Sequence, residues 1–435
     1  MSRALFGTDG VRGIAGQYPL DENGSVKIGR AVGMHFARQG ESVVLGFDPR
    51  ESSEAIAANL TKGLNQVGVN VVNAGVLPTP GISYLTRQHD DFVAGIMITA
   101  SHNPYNYNGI KVFDNRGDKL PDSTEAALNE MIDNGVADRG SGSTKTDANL
   151  IRQYEDFLVN SAGGLKLDTL SIAIDTANGA ASGIARRVFE RLGAIVTPIF
   201  DKPDGRNINE ACGATNTAKL AQLVSEQHLS LGIAVDGDAD RLFLVDSQGR
   251  QVNGDNIMYI LAVGGNYSGV VATVMSNLGF EKALNNKSIK LERMQVGDRY
   301  VLEGLQKTGY KLGGEQSGHI ILPELLKTGD ALLAAVQVVK AVQSSSKSLD
   351  QWRDEVVALP QAIVNIPLPD KKVLEDDKIQ SFIDQQTDSL DGNGRILIRP
   401  SGTEPLARVM VEANDAQSLA ESIAHSLEKL IKEME

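Results

Sequence analysis

Residues 93–113 read VAGIMITASHNPYNYNGIKVF. Val93 to Thr99 is apolar with β-branched residues, long enough for a buried strand and too short for a helix. The pattern breaks at Ser101-His102-Asn103-Pro104 and further turn formers, and Ile110-Lys111-Val112-Phe113 resumes as a second strand. A serine at the exit of a buried strand rides on rigid scaffold, and its hydroxyl is expected to face solvent, which is how chains present nucleophiles. A Ser-His pair in a polar turn carries little alone; the company it keeps along the chain decides its reading.

On both sides of this stretch, strands alternate with helices. Before it come a helix over 25–38, a strand over 42–47, a helix over 52–67, a strand over 69–73, a Pro-Thr-Pro turn at 78–80 and a short helix. After it, residues 135–148 are polar and aperiodic, so a boundary falls near 150. A second unit follows with a helix (149–161), strand (170–175), helix (180–192), strand (194–200), a long polar loop to 216 and strands at 231–236 and 242–246. The theme returns with a helix at 254–264, a strand at 269–275, a helix at 278–286 and a strand at 288–294. Alternation of this kind predicts α/β units with mixed sheets covered by helices. The last stretch differs: strands at 395–399 and 407–412 and a closing helix with Leu419, Ile423, Leu427, Leu430 and Met434 on one face and Asp415 near its start. The expected division is 1–150, 151–250 and 251–360, three similar α/β units without a clear sequence repeat, and 361–435, a small α+β domain.

Composition excludes several classes. At 435 residues the chain exceeds one core, and 41% hydrophobic with 22% charged residues is an ordinary globular balance. No run reaches the roughly 18 apolar residues of a membrane span, and the start lacks a signal-peptide apolar region. The single cysteine, Cys212, fits a reducing compartment, so a cytoplasmic location is expected. A net charge of −13 argues against nucleic acid or anionic lipid as the main partner. An anionic substrate would then have to be met by a few placed Arg and Lys.

Four further loops carry chemistry. FGTDGVRG (6–13) sets glycines around Asp9 and Arg12, a phosphate-facing cation on a backbone that a ligand can approach closely. Asp236-Gly237-Asp238-Ala239-Asp240-Arg241 places a carboxylate at every second residue between two short strands. In a straight strand such side chains stand about 6.6 Å apart; Gly and Ala spacers let the loop curl, and the converging charges then call for a cation such as Mg²⁺. An EF-hand reading fails, because its required Gly would be Arg241 and its Glu would be Ser247. Gly313–His319 (GGEQSGH) exposes Glu315, Ser317 and His319 to sugar hydroxyls or an amine. It is not a hydrolase elbow, since Gly does not flank Ser317 two residues away on both sides. Finally, RPSGTEP (399–405) with Arg408 combines two arginines with Ser401, Gly402 and Thr403, a turn that can cup an anion. No G-x-G-x-x-G follows a predicted strand and no Gly-Lys pair completes a P-loop, which disfavours dinucleotide and P-loop chemistry.

These five motifs, in this order, resemble the α-D-phosphohexomutases, and the resemblance spans essentially the whole chain. NEACGATN (209–216), NGDNIMYILA (253–262) and VGDRYVLE (296–303) are similar to the branch acting on glucosamine phosphates. The resemblance implies four domains around a central cleft, and interconversion of glucosamine 6-phosphate and glucosamine 1-phosphate through glucosamine 1,6-bisphosphate, feeding UDP-N-acetylglucosamine and cell-wall synthesis. It implies that Ser101 is the phosphorylated nucleophile, and that Asp236, Asp238 and Asp240 bind one Mg²⁺ per subunit with it. Glu315, Ser317 and His319 would hold the sugar, Arg399, Ser401, Gly402, Thr403 and Arg408 the non-reacting phosphate, and Arg12, Lys111 and Arg241 the charge of the transferring group. Lys111, His102 and His319 are the candidates for moving the proton. The partner would be a phosphorylated amino sugar, and the same branch implies a homodimer through the first domain. A glucose or mannose phosphomutase would use the same loops, and a non-catalytic sugar-phosphate sensor would keep the fold. Two departures stand out: Tyr107 replaces the usual acid before Asn-Gly-Ile-Lys, and GFDPRESS (46–53) has Pro49 and Ser53 where Thr and Gly are commoner. The latter loop reads as structural and is assigned no site residue.

Overall fold

A computed structural model describes residues 5–7, 10–368, 370–401 and 405–433. Asp9, Gly402, Thr403 and Met434, named above, lie outside the described residues. The strand Phe92–Ile98 sits inside a six-stranded mixed sheet, between Tyr107–Asp114, which runs antiparallel to it, and Ser42–Phe47, which runs parallel. Asn70–Val76 extends the parallel side. Helices Glu22–Phe36, Ser53–Gln66 and Thr79–Gln88 cover the sheet; Pro80 falls in the first turn of the last, where a missing N–H costs nothing.

Both edges of this sheet differ from expectation. Val11–Ile14, whose first three residues the sequence reads as part of a glycine loop, form a strand antiparallel to Tyr107–Asp114. Within the aperiodic stretch 135–148, Thr144–Thr146 pairs parallel with residues 71–73. Neither alternates apolar with polar residues, because an edge strand has few neighbours to pack against.

The second sheet holds Ser171–Asp175, Ile195–Ile199 and Leu231–Val235 in parallel, with Leu242–Val245 and Gln251–Val252 antiparallel at one edge. The helix expected over 180–192 is shorter, Ile184–Arg191, since Gly183 at φ 71° takes a backbone conformation that a helix cannot include. The third sheet runs Lys290–Met294, Gly269–Thr273, Gly313–Gly314 and Ile320–Ile321. The fourth is a three-stranded antiparallel sheet, Gln361–Pro367, Leu406–Glu412 and Arg395–Pro400, backed by Ala416–Lys432 and Asp377–Asp388. On Ala416–Lys432, Ile423 and Leu427 are buried, and the partly buried Leu419 and Leu430 also pack into this core, as the periodicity predicts.

The cores explain how these pieces are joined. One continuous apolar cluster runs from Val44 of the first sheet and Ile82 of the helix Thr79–Gln88 through Ile174 and Val235 of the second sheet to Val270 and Val336 of the third unit. The last unit has its own cluster, which begins at Ala362. Polar contacts link it to the third unit: Leu278 N donates to Glu412 Oε2 (2.8 Å), and Arg395 Nη2 donates to Ser276 O (3.0 Å). Among the described residues, no helix is long and apolar enough to cross a membrane.

Candidate active site

Thr99 and Ala100 carry the chain from the end of Phe92–Ile98 to Ser101, whose φ of 52° lies in the left-handed region that residues with side chains rarely enter. Ser101 is 1% exposed, so it does not face solvent as the sequence suggests. The 236–240 loop covers it: a Cβ on Gly237 would come within 2.6 Å of Ser101 O, so only glycine allows that approach. The Ser101 hydroxyl donates to Asp236 Oδ2 at 2.7 Å and lies 3.3 Å from His102 Nδ1.

The acidic loop curls because Asp236 Oδ1 accepts from the amides of both Asp240 (3.1 Å) and Arg241 (3.2 Å), with Ala239 at φ 56°. Asp236, Asp238 and Asp240 are all buried, and each offers an oxygen within 4.8 Å of the others. Burial, then Asp240 and Asp238, push the Asp236 carboxyl well above the usual range. Burial opposes ionisation of Asp240 as well, but Lys111, His319 and Arg241 outweigh it and hold that carboxyl well below the usual range. Asp238 Oδ1 and Asp240 Oδ1 are buried with no hydrogen-bond partner among the described residues. Unpartnered carboxylate oxygens converging in a buried site suit a hard, oxygen-seeking divalent cation.

Lys111 supplies the cationic neighbour in the protein itself. Its Nζ lies 2.7 Å from Asp238 Oδ2 and 3.3 Å from Asp240 Oδ2, and Thr79 Oγ1 donates to Asp238 Oδ2 at 2.6 Å. Lys111 reaches the acidic loop with Tyr107 in place of the usual acid; Tyr107 is partly buried, and its carbonyl accepts from Arg50 Nη1 at 3.2 Å. His102 sits near Arg241 and Arg12, and burial followed by these two cations lowers its pKa, which favours a neutral imidazole beside Ser101.

From the third unit, Glu315 Oε1 accepts from Gly297 N (3.1 Å) and Glu315 Oε2 from the Ser317 hydroxyl (3.1 Å). His319 is buried, with Nδ1 3.8 Å from Asp240 Oδ2 and Nε2 accepting from Gly329 N at 3.1 Å. Arg12, Ser101, Asp240, Arg241, Glu315 and His319 thus line one cavity of about 240 Å³, drawn from three units. Ser317 lines the adjoining cavity with Glu315 and Arg241. Arg399, Ser401 and Arg408 line neither.

Four phosphoglucomutase/phosphomannomutase domain families match this chain in order: alpha/beta/alpha domain I over residues 3–138, domain II over 152–249, domain III over 253–359 and the C-terminal domain over 363–430. A phosphoglucosamine mutase of Deinococcus deserti is 44% identical over 430 residues, covering 96% of either chain. The chain belongs to the phosphoglucosamine mutase family. Its fold is shared with a phosphoglucomutase/phosphomannomutase family protein of Burkholderia thailandensis (TM-score 0.83, 24% identity, 99% and 98% of the two chains). It is shared also with the N-acetylphosphoglucosamine mutase of Aspergillus fumigatus crystallised with GlcNAc-6P and magnesium (TM-score 0.66, 16% identity, 99% and 95%).

In this mutase two arginines face each other in the last unit. Arg399 and Arg408 are direct cross-strand partners. Burial, then the Arg408 charge, lowers the Arg399 pKa, and like charges opposite one another on a sheet disfavour the fold. An anion between them would offset both the burial and the repulsion. The sequence reading missed a different group of residues. Asp48, Arg50, Thr79, Thr99 and Asn209 all bond to the serine loop or the acidic loop, across as many as 159 positions of chain. Only the unusual pairing of Asp48 and Arg50 in GFDPRESS could have signalled them, since a buried arginine needs a purpose.

Proposed function

We propose that this mutase interconverts glucosamine 6-phosphate and glucosamine 1-phosphate by passing a phosphoryl group through Ser101. Phosphorylated Ser101 gives its phosphoryl group to the free hydroxyl of the sugar monophosphate; the new P–O bond forms as the bond to Oγ breaks. Glucosamine 1,6-bisphosphate results, turns over in the cleft, and returns its other phosphoryl group to Ser101. The observation that carries this reading is the Ser101 hydroxyl, 2.7 Å from Asp236 within a buried three-carboxylate cluster. Mg²⁺ held by Asp236, Asp238, Asp240 and an oxygen on Ser101 would offset the charge on the transferring phosphoryl group. The magnesium in the Aspergillus enzyme supports that assignment.

The chain's own residues do the rest. Arg12 and Arg241 line the cavity beside Ser101 and meet the phosphoryl oxygens, while Glu315 and Ser317 take sugar hydroxyls or the amine. Lys111, His102 and His319 are the candidates for moving the proton: a neutral His102, 3.3 Å from Oγ, can take one, while the Lys111 ammonium, ion-paired to Asp238 and Asp240, can only give one. Arg399, Ser401 and Arg408, with Gly402 and Thr403, receive the non-reacting phosphate once the last unit approaches. The test compares wild type with Ser101→Ala on glucosamine, glucose and mannose 6-phosphates with and without Mg²⁺, alongside intact masses. A phosphate adduct present only with Ser101, and turnover fastest on the glucosamine ester, are expected. Turnover by Ser101→Ala would end the proposal.

A further inference from the structure

Both backbone polar groups of Ser101 are tied, through one intermediary each, to a single buried carboxylate. On one side Ser101 N donates to Thr99 Oγ1 (2.9 Å), and that hydroxyl donates to Asp48 Oδ2 (2.7 Å). On the other, Ser101 O accepts from Arg50 Nη2 (2.9 Å), and Arg50 Nε donates to Asp48 Oδ2 (2.8 Å). The Arg50 fork also takes the carbonyls of Asn103 (2.9 Å), Pro104 and Tyr107 (3.2 Å), spanning the turn from both ends. Its side chain is 0% exposed, as is that of Asp48. Burial pushes the Asp48 carboxyl upward, and Arg50 and Thr99 oppose that; all four groups bonded to it, including Arg50 N and the Ser53 hydroxyl, are donors. Four donors and no acceptor suit a carboxylate rather than an acid.

A buried ion pair of this kind is costly in desolvation, and similar volumes of apolar side chain commonly serve stability better. The bonds it makes instead are spent on the turn from Ser101 to Tyr107, whose first residue is held at φ 52°, a conformation that is strained outside glycine. From this geometry we infer that Arg50, oriented by Asp48, is a positioning residue: it fixes the backbone of Ser101 in its left-handed conformation and so aims Oγ into the carboxylate cluster. The inference rests on the reading of Ser101 as the nucleophile. A planar five-donor fork is required, because a lysine ammonium cannot reach four carbonyls at once.

The experiment uses the full-length protein and three variants: Arg50→Lys, Thr99→Val and Ser101→Ala. Each is assayed for kcat and KM on glucosamine 6-phosphate, for thermal midpoint, and for single-turnover transfer from the phosphorylated enzyme. Arg50→Lys is expected to lower kcat and the single-turnover rate about 100-fold with KM nearly unchanged, the signature of a displaced reacting atom. Thr99→Val, which cuts only the amide arm, is expected to lower both about 10-fold. Arg50→Lys that is folded and transfers at the wild-type rate overturns the inference, as does a loss that the unfolded fraction accounts for in full. If Arg50→Lys does not fold, Thr99→Val decides by the same criteria. An inactive Ser101→Ala beside two wild-type-like variants defeats this inference alone; an active Ser101→Ala defeats the nucleophile reading beneath it.

Discussion

Lys111 is 4% exposed and stands between two carboxylates, so its removal leaves the Asp238–Asp240 pair without its nearest cation. Breaking a buried ion pair by deleting one partner costs about 3–5 kcal/mol. Lys111→Met should therefore be destabilised by about that amount in chelator, and Mg²⁺ should recover more of the loss than it adds to wild type, because the metal now has more charge to neutralise. Thermal melts of both proteins with and without Mg²⁺ check this; equal Mg²⁺ shifts would show that Lys111 and the metal do not share the cluster. Arg399 makes the opposite case. Its neighbour across the strand is Arg408, so Arg399→Leu should leave the last unit unchanged or stabilise it by up to about 1 kcal/mol. If Arg399 holds the non-reacting phosphate as proposed, its loss should meanwhile raise KM about 10-fold or more. Parallel loss of stability and affinity would mean that the pair is structural.

Among the elements, the helix Ala331–Gln343 carries the clearest pH signal. Its N-cap, Asp330, accepts from Leu333 N (2.9 Å) and from the Tyr154 hydroxyl (3.0 Å), while Ala331 N donates to Ala239 O in the acidic loop (3.1 Å). Burial raises the Asp330 carboxyl from 3.8 to about 7. The folded state thus holds this proton more tightly than the unfolded chain. The resulting stability is fully present below the ordinary value, and is lost as pH climbs through the folded one. Asp330→Asn keeps the cap without the titration. The wild-type advantage over it should shrink with rising pH by up to about 1.4 kcal/mol per unit and level off above about pH 7. Unfolding curves across that range decide it; a difference independent of pH would contradict the buried proton. Helices such as Asn149–Ser161 were legible in the sequence because their apolar positions repeat at the helical period, and strands such as Ser42–Phe47 because a short unbroken apolar run is bounded by polar residues. The edge strands were not, having little apolar surface to declare. Ser101 was legible as a site and misread as solvent-facing, because its cover arrives from 135 positions away. Asp48 and Arg50 were passed over for a related reason: their work is done entirely through contacts made after the turn has folded.

At the scale of the molecule, the cleft is assembled from two kinds of joint. The first three units share one apolar core, which fixes Ser101, Asp236 and Glu315 relative to one another. The last unit keeps a separate core and meets the third through hydrogen bonds and charge. Its link is held at Leu359, whose amide donates to Asn277 Oδ1 (2.9 Å) and whose carbonyl accepts from Asn277 Nδ2 (3.0 Å). Apolar interfaces resist motion, while small polar ones permit it. Arg399 and Arg408 line neither cavity near Ser101, yet under the proposed function one sugar bisphosphate has to reach both places. We therefore expect the last unit to swing toward the cleft on binding, excluding the water that would otherwise take the phosphoryl group. Small-angle scattering should show a smaller radius of gyration with glucose 1,6-bisphosphate than without it, and Arg408→Leu should reduce that change without altering the unliganded profile. Identical profiles with and without the bisphosphate would refute the swing. Glu412→Gln tests the joint itself. Glu412 is fully buried and bonded to Arg395 (2.8 Å) as well as Leu278, so weakening it should broaden the unliganded ensemble while leaving the bound state compact. A variant whose unliganded scattering matched wild type would place the restraint on the Asn277–Leu359 clasp instead.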